Sequence, residues 1–407
     1  MNRIDVLSNH LCSSTITTTT TTTVVKYNDN KDPLLVSELE SNHILYRIYD
    51  NGCLKIILNR EKALNSLTLE MINHLLNLLK KYENDKRVTF VLVVGAGDRA
   101  YCSGGDLLEF SSSVEMSHRL SNTEYKLDYL IHTYSKPYVS IVNGIVMGGG
   151  VGISIHGSHC IVTERALWAM PECFIGYFPD VGTNYQMSRL GAIGLYLDLT
   201  GTRIKYRDLV GLGIASHHVP SDMLDRLVRD LTENTVDTTR QLDFIINLYR
   251  KQVGYRLHNI EPSTMVEWLV QNQCLERCFG NHIKSVQEVL DNLENEIKNN
   301  NGDEKVRKWA EQTLTKITGS RPLSICACFK AFRDSLNLSI DDVLKMDNRV
   351  GTHLTQIEED GREGIKAALF DKTYKPQWIP PTIQQVDPNI VDSLFKPLPS
   401  HQELDLN

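Results

Sequence analysis

The residues of this 407-residue chain best suited to chemistry gather between positions 144 and 182. First comes Gly144-Ile145-Val146-Met147-Gly148-Gly149-Gly150-Val151-Gly152, then Met170-Pro171-Glu172-Cys173-Phe174-Ile175-Gly176-Tyr177-Phe178-Pro179-Asp180-Val181-Gly182. Consecutive glycines let backbone N–H groups approach a ligand closely. Glu172 and Asp180 stand on a segment punctuated by Gly and Pro, where side chains are aimed rather than packed. An anion-stabilising backbone beside an acid/base pair is what acyl chemistry on a small substrate requires, so this stretch predicts an enzyme. The plainer alternatives are close helix packing for the glycines and solvated loop positions for the two acids.

Other chemistries find less support. The nine cysteines (12, 53, 102, 160, 173, 274, 278, 326 and 328) are scattered and lack paired C-x-x-C spacing, which predicts free thiols in a reducing compartment. Cys102 has no histidine near it in sequence and reads as a buried structural thiol. His217-His218 lacks ligand spacing, so no metal site is expected. Glycines 148, 149, 150 and 152 do not form G-x-G-x-x-G, and no G-x-x-x-x-G-K-[ST] occurs, which removes motif support for a dinucleotide or P-loop enzyme. A net charge of −7 argues against extended nucleic-acid binding, and no apolar run approaches the ~18 residues that span a membrane.

The elements that must position these residues follow from periodicity. Residues 1–33, with the Thr17–Thr23 run and the polar stretch Asn28–Pro33, are too polar to fold and read as a leader. Segments His43–Tyr49 and Leu54–Leu58 predict a hairpin across Asp50-Asn51-Gly52. Ile72, Leu75, Leu76 and Leu79 recur at helical spacing within Thr68–Asn84, with Thr68 as N-cap. Val88–Val94 is a buried strand, Gly95–Asp106 a long polar loop, Glu124–Tyr134 a helix and Tyr138–Val142 a strand. Met147–Ile155 predicts a helix opening on the glycine run, and Cys160–Thr163 another strand. Beyond about Ser221 strand signals fade. Leu224–Leu231, Leu242–Val253, Met265–Leu275, Ile283–Ile297, Lys305–Thr315, Ser324–Phe332 and Ile340–Arg349 read as helices, with a polar break at Asn299–Gly302. The expectation is an α/β core over 34–220 followed by a helical region over 221–400 that completes the fold.

Three blocks in this order resemble the crotonase (enoyl-CoA hydratase/isomerase) superfamily: Leu58-Asn59-Arg60-Glu61-Lys62-Ala63-Leu64-Asn65-Ser66-Leu67, Tyr101-Cys102-Ser103-Gly104-Gly105-Asp106, and the 144–182 stretch. Within it the chain looks most similar to the branch that hydrolyses short 3-hydroxyacyl-CoA thioesters. That likeness runs from about residue 43 to about 380, through Arg349 and Glu363–Lys372. It implies an α/β spiral of β-β-α units with a helical C-terminal region, an acyl-CoA substrate and no metal or redox cofactor. It also implies a core that assembles into homo-oligomers. Hydratases of the superfamily use two glutamates, one just after the triple glycine and one in the Pro-Glu motif. Here the first position is Gly152, which cannot move a proton; the second is Glu172, and the hydrolase-type aspartate follows at Asp180. Thioester hydrolysis, rather than hydration of an alkene, is therefore expected. A hydratase or isomerase, or an idle structural relative in the mitochondrial ribosome, are the alternatives.

By the same resemblance, the backbone N–H groups of Ser103 and Gly149 would hold the thioester oxygen. Glu172 would serve as general base for water or as a nucleophile forming a transient anhydride. Asp180 would orient water, grip a substrate hydroxyl or pass a proton to the thiolate. Glu124 falls where the hydrolases contact substrate. Lys62, Ala63 and Leu64, with Gly104, Gly105 and Asp106, would line the CoA groove, and Lys372 and Lys375 would meet its phosphates. Some residues depart from the pattern. Thr183 and Asn184 replace small residues beside Asp180, which predicts a reshaped acyl pocket; Glu61 stands for a usual proline, and Gly361-Arg362 for bulkier residues. At the N-terminus, Arg3-Ile4-Asp5-Val6-Leu7-Ser8-Asn9-His10-Leu11 resembles the nonapeptide signal for peroxisomal import. A Ser/Thr-rich mitochondrial transit peptide is the alternative, against which Asp5 and the single arginine speak.

Overall fold

The computed structural model describes residues 41–236, 238–250, 264–298, 303–357, 363–371 and 373–406. The Arg3–Leu11 nonapeptide, the threonine run, the break at 299–302, Gly361-Arg362 and Lys372 lie outside them.

Near-continuous apolar runs make strands that bury both faces. Strands β1 (Ile44–Ile48), β2 (Cys53–Leu58), β3 (Phe90–Gly95), β5 (Tyr138–Val142), β7 (His159–Val162) and β10 (His217–His218) form one six-stranded sheet in the order β1-β2-β3-β5-β7-β10. The β1–β2 hairpin is antiparallel, with Tyr46 opposite Ile56; the other pairings are parallel. Strands β4 (Ala100–Cys102), β6 (Ile145–Met147), β8 (Leu167–Ala169) and β9 (Ile204–Lys205) form a second sheet in the order β4-β6-β8-β9. Successive strands thus alternate between the sheets: β3 then β4, β5 then β6, β7 then β8. Helices α1 (Leu69–Glu83), α2 (Val114–Thr133) and α3 (Gly149–Ile155) close the turns of this spiral of β-β-α units.

On the six-stranded sheet, Leu54, Ile56, Leu58, Val91 and Val93 face one apolar cluster while Cys53, Ile57, Phe90, Leu92 and Val94 face another. The second is covered by α4 (Leu224–Glu233) and α5 (Thr239–Tyr249), which supply Leu227, Leu231, Leu242 and Ile246. The first cluster is the larger. It runs on through α6 (Pro322–Ser335) and α7 (Ile340–Gln356) as far as Leu404. Among the described residues no helix is long and apolar enough to cross a membrane.

Most elements fall where the sequence places them, Thr68 capping α1 among them. Three differences are informative. The supposed polar loop 95–106 contains the buried strand β4. The Met265–Leu275 helix is two, Met265–Gln271 and Cys274–Phe279, broken where Gln273 adopts φ 53°. Helix α2 starts ten residues before the predicted Glu124, because Ser113 caps it and its buried positions include Ser117, Ser121, Glu124 and Asp128. The buried positions of its first turns are Ser117, Leu120 and Ser121, too few apolar residues to show a period.

Candidate active site

A cavity of about 360 Å³ opens between the two glycine-rich segments. Its lining includes Ala63, Leu64, Ser103, Gly104, Gly105, Asp106, Glu124, Gly149, Glu172 and Asp180. Of the residues singled out from sequence, these meet at one place. Lys62, in the short turn Glu61–Ala63, is exposed and does not line the cavity; neither does Lys375. Arg60 and Arg203 are the basic side chains in the lining, and exposed Leu108 and Phe370 give it an apolar rim.

Each acid is held by its own device. Glu172 opens the 3-10 turn Glu172–Ile175, which Pro171 precedes and Gly176 (φ 85°) closes. Asp180 is followed by Val181 at φ 52° and Gly182 at φ 71°. A β-branched residue in the left-handed region is strained, at a cost of roughly 1–3 kcal/mol, and such strain persists only where its surroundings enforce it. Here His156 Nε2 donates to the Val181 carbonyl at 2.7 Å, and Gly182 N–H donates to Asp347 Oδ2 at 2.9 Å. Tyr125 Oη donates to Asp180 Oδ2 at 2.7 Å. Glu124 and Asp128, one turn apart on α2, both face α3. A Cβ built on Gly149 would lie 1.8 Å from Glu124 Oε1, and one on Gly152 2.8 Å from Asp128 Oδ1. These glycines are the slots into which the two carboxyls fit. Gly148 serves Glu172 likewise, its Cβ position being 2.8 Å from Glu172 Oε1.

The N–H of Gly149 opens α3 and so has no acceptor within its own helix. Ser103 departs from expectation. Its N–H donates to the Leu64 carbonyl at 3.0 Å, so that hydrogen is already aimed at protein. What Ser103 offers the cavity is its buried hydroxyl, which has no hydrogen-bond partner among the described residues. Asp106 is also engaged: it caps the helix Leu107–Phe110 and pairs with Arg60 at 2.7 Å.

Three buried carboxyls around one cavity cannot all ionise at ordinary pH. Burial, then the charge of Asp180, pushes Glu124 up to about 8. Burial lifts Asp180 to about 7 against the opposing Tyr125 hydrogen bond. Glu172 is held well above the usual carboxylate range by burial first and the Asp180 charge second. Behind them Asp128 and Asp347 are raised the same way, Asp128 by burial and then by the charges of Glu124, Asp180 and Asp347. Asp180, the member with a hydroxyl donor, is the acid best placed to carry the charge.

Sequence reasoning missed several of these groups. Ser121 and Arg203 lie in segments whose patterns gave no sign of a site, Arg203 standing alone between a helix and a two-residue strand, while Tyr125 and Tyr177 stand unremarked beside the acids the sequence singles out. Asp128 had a signal, its i,i+4 spacing from Glu124. The expected reshaping of the acyl pocket by Thr183 and Asn184 does not occur, since neither lines the cavity. Thr183 Oγ1 donates to the Asp180 carbonyl at 2.7 Å and Asn184 Nδ2 to the Pro179 carbonyl at 2.9 Å, so both hold the loop from behind.

Comparison with known proteins gives this geometry a setting. The family model described as enoyl-CoA hydratase/isomerase matches residues 53–395. The mitochondrial 3-hydroxyisobutyryl-CoA hydrolase of Danio rerio is 36% identical over 348 residues, covering 84% of this chain and 87% of the relative. Those of Dictyostelium discoideum and Homo sapiens are 34% and 33% identical; the alignments cover 86% of this chain in each case, and 91% and 88% of the relatives. Among solved structures, a carnitinyl-CoA dehydratase from Mycobacterium thermoresistibile superposes with TM-score 0.77 at 30% identity, covering 90% of this chain and 99% of that one. An enoyl-CoA hydratase from Rhodobacter sphaeroides gives TM-score 0.75 at 28% identity, covering 89% and 99%.

Proposed function

The chain belongs to the enoyl-CoA hydratase/isomerase family, and from that premise we propose that it is an acyl-CoA thioester hydrolase acting on 3-hydroxyisobutyryl-CoA, a step of valine breakdown. Relatives bearing that name align with it over most of both chains. The observation that carries the chemistry is the set of carboxyls: Glu124, Glu172 and Asp180 line the cavity with Gly149, while position 152 sends nothing into it.

In this reading the thioester oxygen sits against the Gly149 N–H and the Ser103 hydroxyl. Donors aimed at developing charge in a water-poor site are each worth about 3 kcal/mol of transition-state stabilisation. Glu172 is the base in its ionised form: burial makes it a stronger base than an exposed carboxylate, so once it has lost its own proton it takes one from the attacking water and returns it to the departing sulfur. Asp180 holds the water or the substrate's 3-hydroxyl, and Glu124 borders the acyl group. Arg203 and the apolar rim at Leu108 and Phe370 suit the phosphates and the pantetheine arm of coenzyme A. Water and the chain's own groups complete the reaction, with no metal or redox cofactor in it.

The test is thiol release from a panel of acyl-CoAs by wild type and Glu172→Ala. Release from short 3-hydroxyacyl thioesters, lost in the variant, is the expected result; no release from any of them refutes the reading. Crotonyl-CoA belongs on the panel because Glu124 supplies a second cavity carboxyl, and brisk hydration of it would favour a hydratase. For location, the relatives' names carry the mitochondrion, whereas the Arg3–Leu11 nonapeptide favours peroxisomal import. A fluorescent protein fused behind residues 1–33 decides between them by where it accumulates.

A further inference from the structure

Hydrolysis leaves one proton over. The C–O bond forms and the C–S bond breaks with its electron pair on sulfur; the thiolate regains one of water's two protons as a thiol of ordinary pKa near 8.5. The carboxylic acid product, of ordinary pKa near 4, sheds the other at neutral pH. Bound acyl-CoA would fill the mouth of the cavity, so a second way out is useful.

A row of hydroxyls leads from Asp180 away from that mouth. Tyr125 gives its only proton to Asp180 Oδ2, so the 3.3 Å contact between the Tyr125 and Tyr177 hydroxyls is one in which Tyr177 donates. Tyr177, its proton committed, has only acceptor capacity left, and the hydroxyl beside it is that of Ser121. Tyr177 and Ser121 are the shared wall between the cavity and a narrow polar cleft between α2 and α7, lined also by Ser117, His118, Asn348 and Thr352. His118 and Ser121 lie three residues apart on the same face of α2. His118 Nε2 is 3.2 Å from the Gln402 carbonyl, which can only accept, so Nε2 carries the hydrogen and Nδ1 of the neutral ring is an acceptor. Ser121 and Tyr125 are buried, while His118 is half-exposed at the outer end. Gly351 of α7 makes room: a Cβ there would stand 2.0 Å from the Tyr177 hydroxyl. The Tyr177 ring already packs against Phe110 and Phe178, at centroid distances of 5.3 and 5.1 Å, so a phenylalanine would close the wall equally well. The hydroxyl has no packing duty.

We propose that Asp180, Tyr125, Tyr177 and Ser121 form a proton exit that delivers the surplus proton of each turnover to His118 in the α2/α7 cleft. This rests on the hydrolase reading. Asp180 takes the proton from the nascent carboxylic acid and hands it to Tyr125; each hydroxyl passes its own proton outward and rotates, and His118 releases to solvent what Ser121 gives up. Only O–H and N–H bonds change. The donor order at Tyr125 and Tyr177 is that of a chain that has just discharged, with both hydroxyls turned back toward an ionised Asp180.

The experiment uses the full-length enzyme, 3-hydroxyisobutyryl-CoA and weakly buffered solution. Tyr177→Phe should lower kcat by about tenfold, less than the roughly 10²–10⁴-fold of a group that exchanges a proton with the substrate itself, with KM unchanged and a larger solvent deuterium isotope effect on kcat. His118→Ala should lower kcat similarly, and added imidazole should restore it; imidazole should not restore Tyr177→Phe, whose break lies inside the wall. Wild-type kcat and isotope effect in Tyr177→Phe, or a His118→Ala loss that imidazole leaves untouched, refutes the exit alone. A wild type that releases no thiol refutes the hydrolase reading and the exit with it.

Discussion

Replacing Glu124 by glutamine should stabilise the substrate-free protein, and increasingly so as pH rises. The side chain keeps its size against Gly149 but can no longer ionise. Glu124 moves from an ordinary 4.5 to about 8 in the folded protein, through burial and the neighbouring Asp180 charge. Between those values the folded state keeps a proton that the unfolded chain has lost, so stability falls as pH climbs through the window and the full penalty is present above about pH 8. Some three to four units at about 1.4 kcal/mol each give a ceiling of about 5 kcal/mol. Part of this is repulsion by Asp180, which the substitution relieves as well. The urea midpoints of wild type and Glu124→Gln should nearly coincide at about pH 5, diverge up to about pH 8 and stay apart above it, the variant unfolding at higher urea. Thiol release should fall in the same variant, because a cavity carboxyl has gone. Parallel pH dependences of the two midpoints would show that Glu124 does not hold its proton in the folded state, and the account of the acid cluster would fail with it.

Three further outcomes follow from the same geometry. Glu172→Gln should lower kcat for thiol release by about 100-fold or more with KM little changed, as expected of a proton-transferring group; an active variant removes Glu172 from the chemistry. The acid limb of the kcat/KM profile should lie at about pH 7 or above, since Asp180 sits near 7 and the base Glu172 is held well above the usual carboxylate range, with activity rising as pH rises; Tyr125→Phe removes the bond that lowers Asp180 and should push the limb further alkaline. A limb near pH 4 in both proteins contradicts this. Arg203→Met should raise KM by roughly tenfold for the CoA thioester but leave the matching pantetheine thioester unaffected, since only the former carries phosphates for a guanidinium to grip; equal KM changes would place Arg203 elsewhere.

What could be read from sequence was what leaves a local mark. Thr68 announced α1 because an N-cap and a helical period coincide, and β5 was placed at Tyr138–Val142 because a short apolar run bounded by breakers has few other uses. Glu172, Asp180 and Gly149 were legible because Gly and Pro punctuate their segments. The rest depends on distance in space. The first turns of α2 bury Ser117 and Ser121 and so hide its start from an apolar count, yet the helix supplies Ser121, Glu124, Tyr125 and Asp128. That Ser103 offers a hydroxyl rather than an N–H depends on where the Leu64 carbonyl points. Thr183 and Asn184 sit beside Asp180 in sequence, but their polar groups turn back to the loop instead of entering the cavity.

The pairing of Asp128 with Gly152 also constrains how this chain can evolve. Hydratases of the family carry a glutamate at the position of Gly152, and a single codon change would seem enough to move toward their chemistry. Here any side chain at 152 would start 2.8 Å from an Asp128 oxygen and 2.9 Å from Val181 Cβ, beside the strained turn that aims Asp180. Glutamate there would add a second acid to a space one already fills. The order of mutations therefore matters: both residue 128 and the turn at Val181 must give way before a glutamate at 152 finds room. In this chain a buried aspartate and a strained turn stand between Gly152 and any acid in its place.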